Sequence, residues 1–290
     1  MSLAPAPSNH HLRAMEPNAS TSKTRQPTLF IPHGGGPCFF MDPPPGDPHA
    51  WDAMSAYLRR IATSLPERPR AILVVSAHWE TARPTVARVE RPAMLFDYFG
   101  FPEHTYQLSY PAPGSPALAT RVRALLDAAD IASEEDASRG FDHGVFVPFL
   151  LAFPDADIPV VPLSLRRDLD PAAHLAIGRA LSPLRDEGVL IVGSGMSYHN
   201  LREFWSTHPR DVEAAGAFDA WLAEAVEDDA ATRETRLAAW SEAPGARSAH
   251  PRSEHLIPLM VAAGAANGDR GVRDYSDRVF GKAVSGFRFG

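Results

Sequence analysis

The sequence predicts an α/β fold, a single domain whose central, mostly parallel sheet is flanked by helices. Three observations carry that prediction. Short apolar runs rich in Ile, Leu and Val alternate with segments of helical spacing, the order that builds parallel sheets. The run from Ala71 to Glu80, AILVVSAHWE, follows a turn-forming PERPR and reads as a strand buried on both faces. Finally, His33, His78 and His199 each follow such a strand. Parallel packing would bring all three to one edge, outside the carboxyl ends of the strands, where open α/β sheets collect their ligands. Histidines with unrelated structural duties have no reason to share that position.

Length and composition bound the rest. At 290 residues, 44% hydrophobic and 22% charged, the chain suits one large globular domain, and no apolar run approaches the roughly 20 residues needed to span a bilayer. A net charge of −7 offers no global attraction to nucleic acid or to an anionic membrane. Small molecules are therefore the expected partners, and the cytoplasm the expected location. The single cysteine, Cys38, excludes an intramolecular disulfide and a thiolate metal cluster, so any metal is held by histidines and carboxylates. Residues 1 to 27 are polar and rich in Pro and Ser; they read as a flexible tail in which His10 and His11 are solvated. The Asn-Ala-Ser at 18 to 20 fits a glycosylation sequon but has no secretory signal before it. The domain proper is expected over 28 to 290.

Taken in order, TLFIP (28 to 32) is a strand ending in His33 and three glycines. Those glycines let the backbone pass close to a ligand, but neither the GxGxxG spacing nor a P-loop Lys-Ser/Thr accompanies them. His33 is a metal-ligand candidate, the bland alternative being a hydrogen-bonded turn histidine. A helix is expected over 49 to 64, the strand with His78 next, and a short strand over 85 to 90. The aromatic passage DYFGFPEHTYQLSYPAPGSP (97 to 116) is long enough for a functional loop. Its rings either wall an aromatic pocket or seal the core. A helix over 115 to 129 follows.

In GFDHG (140 to 144) a Gly-flanked turn could expose both Asp142 and His143. His143 is then either a proton-handling residue or the cap of the helix behind it. A strand over 158 to 165, a helix over 171 to 187 and a strand over 189 to 192 lead to GSGMSYHNL and His199. Two outer helices, 211 to 228 and 232 to 242, are expected to carry ordinary solvated charges. In HPRSEHLIPLM (250 to 260), Pro251 suits a first helical turn with Leu256, Leu259 and Met260 on one face. His255, one turn in, would point back across the sheet edge, with Glu254 the competing carboxylate and His250 a weaker choice. A strand over 283 to 289 closes the chain.

Imidazoles without thiolates suit Zn, Fe, Cu or Ni. Two histidines and a third ligand with open positions form the pattern of non-heme Fe(II) oxygenases, whereas zinc in the same pocket would activate water for hydrolysis. A metal-binding scaffold without catalysis is the third reading, since fold does not determine function.

The segments HGGGP, VVSAHW, GFP with YPAPGSPALA, GFDHG, PDADIPVVPLSL, HNL after GSG, and HPRSEHLIPL occur in this order from residue 28 onward. As a set they resemble the class III extradiol dioxygenases, in the DOPA-dioxygenase-like branch related to the catalytic subunit of protocatechuate 4,5-dioxygenase. The resemblance implies cleavage of a catechol ring beside its hydroxyls with Fe(II) and O2, zinc being a metal also met in purified relatives. It implies metal ligation by His33, His78 and His255, although the protocatechuate enzymes carry a glutamate at the third position, which keeps Glu254 open. His199 matches a base in those enzymes and a fourth metal ligand in zinc-containing relatives. His143 matches a histidine near substrate and dioxygen. Relatives occur as monomers and as homodimers.

Overall fold

The computed structural model describes Met1 and residues 24 to 290. His10, His11 and the sequon lie outside the described residues. The strands are β1 (Thr28–Pro32), β2 (Ala71–Thr81), β3 (Thr85–Ala87), β4 (Glu134–Asp136), β5 (Val160–Arg166), β6 (Val189–Gly195), β7 (Gly271–Val279) and β8 (Lys282–Phe289). The helices are α1 (Asp52–Ser64), α2 (Pro116–Asp127), α3 (His143–Ala152), α4 (Pro171–Leu181), α5 (Pro209–Glu227), α6 (Ala230–Ala238), α7 (Ala246–Ala249) and α8 (Ile257–Ala265). All eight strands form one sheet in the order β4-β3-β5-β2-β6-β1-β8-β7. Its centre, β5-β2-β6-β1, is parallel throughout. The three strands that lead to His33, His78 and His199 are thus immediate neighbours, β6 lying between β1 and β2.

Helices cover both faces, as a parallel centre requires. On one side α3 packs against β2 and β6, with α1 beside it; on the other, α8 lies across β6, β1 and β2 with α4 against it. The run Ile72 to Val75 is fully buried, as its unbroken apolar sequence predicts. Among the described residues no helix is long and apolar enough to cross a membrane.

Several boundaries differ from the sequence reading for identifiable reasons. The helix expected over 171 to 187 ends at Leu181 and tightens into a 3-10 turn, Ser182–Arg185, where Pro183 lacks the amide that would continue it. The last strand is half of a hairpin: β7 was not expected because Arg273, Asp274, Asp277 and Arg278 break its apolar pattern. Those charges suit an edge strand, which they protect from pairing with another chain. The outer charges are not all solvated. Asp219 of α5 is buried, accepting from Ser285 Oγ (2.6 Å) and Arg273 Nη1 (3.1 Å), and Arg233 of α6 is buried over the Phe289 ring.

Residues 24 to 27, assigned to the tail by composition, are anchored. Thr24 Oγ1 donates to Glu67 (2.8 Å), and the buried Gln26 donates from its backbone to the Arg185 carbonyl (3.2 Å). Arg185 itself is buried and fastens three segments. Its Nε donates to the Gln26 carbonyl (2.7 Å), Nη1 to the carbonyls of Ala265 (3.0 Å) and Ala266 (2.8 Å), and Nη2 to Asp269 (2.6 Å). Removing it strands several buried acceptors at once. Arg185→Ala is expected to destabilise the fold by about 3–5 kcal/mol, read from the urea midpoint at unchanged m-value.

Candidate active site

Each site histidine is positioned by a different break in regular structure. His33 follows β1, its backbone N–H still donating to Gly195 O (3.1 Å). The chain then turns through Gly34 (φ +79°) and Gly36 (φ +55°), a region that side chains resist. A Cβ on Gly36 would stand 2.9 Å from the Phe101 ring, so the glycine also lets that ring pack on the backbone.

His78 lies inside β2, not beyond it as expected. Pairing of β2 with β6 ends at Ser76, and its register with β5 shifts between Val75 and Glu80, so the imidazole sits at the irregularity. His199 comes four residues after β6, held by its backbone N–H to Ala249 O (2.9 Å). His143 is the first residue of α3, following Asp142 at the cap position. The exposure expected there does not occur, both residues being buried. Asp142 is wholly buried, accepting from Ser76 Oγ (2.7 Å) and Arg139 Nη2 (2.6 Å), whereas His143 reaches the site.

His255 also departs from expectation. It precedes α8, whose first turn holds Pro258 and not Pro251. Its carbonyl accepts from Met196 N (3.0 Å), and a Cβ on Gly195 would meet that carbonyl at 2.1 Å. The glycine thus sets how closely this loop approaches β6.

Ligand atoms of His33, His78 and His255 lie within 4.8 Å of one another. Two further sets meet the same spacing, His78 with Asp97 and His143, and His199 with Glu254 and His255. The hydrogen bonds separate these sets by assigning tautomers. His33 Nδ1 is 2.9 Å from the Gly34 carbonyl and His255 Nδ1 is 3.0 Å from Glu254 Oε1, whereas His78 Nδ1 stands 3.6 Å from Asp97, beyond hydrogen-bond reach. With Nδ1 protonated toward Gly34 and Glu254, the Nε2 lone pairs of His33 and His255 are free. His33 Nε2 and His78 Nε2 face each other at 3.3 Å, and His255 Nε2 is buried with no hydrogen-bond partner. Lone pairs converging in a buried place repel unless a cation lies among them.

Burial, reinforced by the neighbouring imidazoles, holds His33, His78 and His255 well below the ordinary imidazole range. They are neutral at neutral pH, the state a metal requires. Neutral nitrogen donors, outer acceptors on Nδ1 of His33 and His255 and an unpartnered Nε2 together fit a divalent metal.

The remaining groups orient the cluster. Glu254 Oε1 serves His255 and also His199 Nδ1, at 3.3 Å. Burial pushes this carboxyl up, but the bonds from His199 and the charge of Arg252 outweigh it and hold it below its usual range. Asp97 receives both the His143 backbone N–H (3.0 Å) and Nδ1 (2.8 Å). His250 does not join. It is buried behind the site, its Nε2 2.9 Å from the Ser197 carbonyl, and burial pulls it down to about 3.

A cavity of about 730 Å³ opens over the histidines and includes His33, His78, His143, His199 and His255 in its wall. The aromatic passage divides between its two readings. Tyr98 and Phe101 line the cavity, whereas Tyr110 is buried against Phe141 and Phe149, sealing the core. Trp51, Phe204 and Trp205 supply the rest of the aromatic wall and were not anticipated, nor was Asp97. The FW pair shortly after HNL was the available signal for the wall.

Fold and cluster together define an α/β protein with a candidate metal-histidine centre under an aromatic cavity. The chain belongs to the family described as the catalytic LigB subunit of aromatic ring-opening dioxygenase, which matches residues 27–283. It is 38% identical over 288 residues to the dioxygenase tasH of Hapsidospora irregularis, covering 94% of this chain and 88% of the relative. It is 36% identical over 248 residues to a 4,5-DOPA dioxygenase extradiol of Escherichia coli K12 (85% and 88% covered), and 44% identical over 201 residues to one of Beta vulgaris (69% and 74% covered). A crystal structure of an uncharacterized Escherichia coli K12 protein superposes with a TM-score of 0.74 at 31% identity, covering 92% of this chain and all of the other. The protein is an extradiol ring-cleaving dioxygenase of class III, in the DOPA-dioxygenase-like branch.

Proposed function

We propose that this dioxygenase depends on Fe(II), held by His33, His78 and His255, and opens the ring of a small catechol with O2. The observation that carries the metal assignment is the buried, unpartnered Nε2 of His255 beside the facing nitrogens of His33 and His78. Fe(II) held by these three residues would supply redox chemistry that Zn(II) lacks.

The chain's own groups then divide the work. His199, whose Nδ1 is turned to Glu254, has Nε2 available to take a proton from a catechol hydroxyl and return it as the ring opens. His143, oriented through Nδ1 by Asp97, offers its other nitrogen to hydrogen-bond a reacting oxygen. The ring walls of Tyr98 and Phe101 hold a planar substrate and keep water away from the histidines. The names of the relatives, which give 4,5-cleavage and an extradiol position, support cleavage next to the hydroxyls and not between them.

Anaerobic loading of metal-stripped protein with Fe(II) or Zn(II), followed by air and a panel of catechols, tests this. Yellow ring-opened product is expected with iron only, and none from His78→Ala. Tight zinc binding without turnover of any catechol would overturn the iron assignment and favour the hydrolase or scaffold reading.

A further inference from the structure

We propose that the substrate of this site is an uncharged catechol bearing an apolar substituent, in preference to a catechol carrying a carboxylate. The inference rests on the dioxygenase reading above and deepens it.

At about 730 Å³ the cavity is in the range that takes a drug-sized ligand, well beyond the needs of one catechol ring. With the hydroxyls at the histidine end, any substituent meets Met41, Trp51, Phe101, Leu201, Phe204 and Trp205. All six are large apolar side chains. Trp51 and Phe204 lie nearly parallel, 17° apart, and Phe39 and Phe280 brace Trp51 edge-on. Leu201 and Trp205 are 68% and 64% exposed, large apolar side chains left to water at this wall. An apolar substituent would cover them.

The charges point the same way. Among the described residues, the lining contains no Lys or Arg, and its one carboxylate is Asp42. The two guanidiniums bonded to the histidine cluster are committed elsewhere. Arg139 donates to Asp142 (2.6 Å) and to the His78 carbonyl (3.2 Å) and lies over the Trp79 ring. Arg252 is bidentate on Glu80 (2.6 and 2.5 Å) and stands 3.3 Å from Glu254. A substrate carboxylate would therefore lose water and find no cationic side chain in the lining. A substrate amine could approach Asp42, but that carboxylate is exposed, where ion pairing contributes little.

The test uses Fe(II)-loaded protein. Binding is measured by anaerobic calorimetry, and kcat/KM by O2 uptake, for 4-tert-butylcatechol, 4-ethylcatechol, 3,4-dihydroxybenzoate, DOPA and 3,4-dihydroxyphenethylamine. The two alkylcatechols are expected to bind at least about tenfold more tightly than either carboxylate, with kcat/KM in the same order. Trp51→Ala should narrow that preference mainly through KM, and Leu201→Arg should raise the carboxylate-to-neutral ratio of kcat/KM. Equal or tighter binding of a carboxylated catechol overturns the proposal. So does phenethylamine binding tighter than that of 4-ethylcatechol. Should no catechol be turned over, the binding order still decides: tighter alkylcatechols uphold the substrate preference while the catalytic reading falls.

Discussion

His255→Ala is expected to lose metal and turnover together, with metal affinity falling by more than the roughly 10–100-fold that removal of an outer hydrogen-bond partner costs. The side chain's one free nitrogen, Nε2, is buried without a partner, while Nδ1 is occupied by Glu254 at 3.0 Å. Its structural duty belongs to the backbone, through the carbonyl that accepts from Met196 N, so alanine keeps that link. Circular dichroism and the thermal midpoint should accordingly change little beside the loss of metal, measured by competition with a chromophoric chelator. Glu254→Gln supplies the contrast. Glutamine can still accept at Oε1, but a weaker neutral bond then orients His255 and His199, so the metal is retained with affinity reduced about 10–100-fold. Retention of metal in His255→Ala and its loss in Glu254→Gln would make the carboxylate the ligand.

The parts of this site that were legible in the sequence share one property: they are set by local pattern. Residues 29–32 and 71–75 are apolar without interruption because both faces are covered, and that burial is written in consecutive residues. Small residues just after His33 and at the end of β6 marked where His33 and His199 would emerge, and the adjacency of β1, β6 and β2 did the rest. The strand count at the far edge was not legible, since β7 alternates charge with only Gly271, Tyr275 and Val279 buried.

Asp97 was hidden for a different reason. It stands among aromatic residues, 46 positions before the histidine it orients, and nothing near it in sequence requires a carboxylate. The position of Pro258 likewise decided where α8 begins, and hence that His255 is presented from a turn and not from a helix face. Arg185 reads as one more surface charge until Gln26, Ala265 and Ala266 are folded around it. Contacts distant in sequence, in each case, override what composition suggests.

His199→Gln is expected to keep metal at nearly the parent affinity while kcat falls by about 10²–10⁴, the range for loss of a positioned general base. The argument is geometric. His199 stacks on His255, with centroids 3.3 Å apart and planes 15° apart, so it lies beside the third proposed ligand and in the same cavity wall. Its Nδ1 is turned to Glu254, and the rest of the ring is partly open, with the side chain 21% exposed, in contrast to the closed surroundings of His255 at 4%. That opening gives a proton taken up by the ring a route to solvent. Glutamine retains hydrogen bonding and much of the volume but has no ring nitrogen to take up and return a proton, so substrate binding should survive and the chemical step should not. Single-turnover measurement of ring opening, alongside metal content, checks both halves. Parallel loss of metal and turnover would instead assign His199 to the metal, and a near-normal kcat would move the proton transfer to His143.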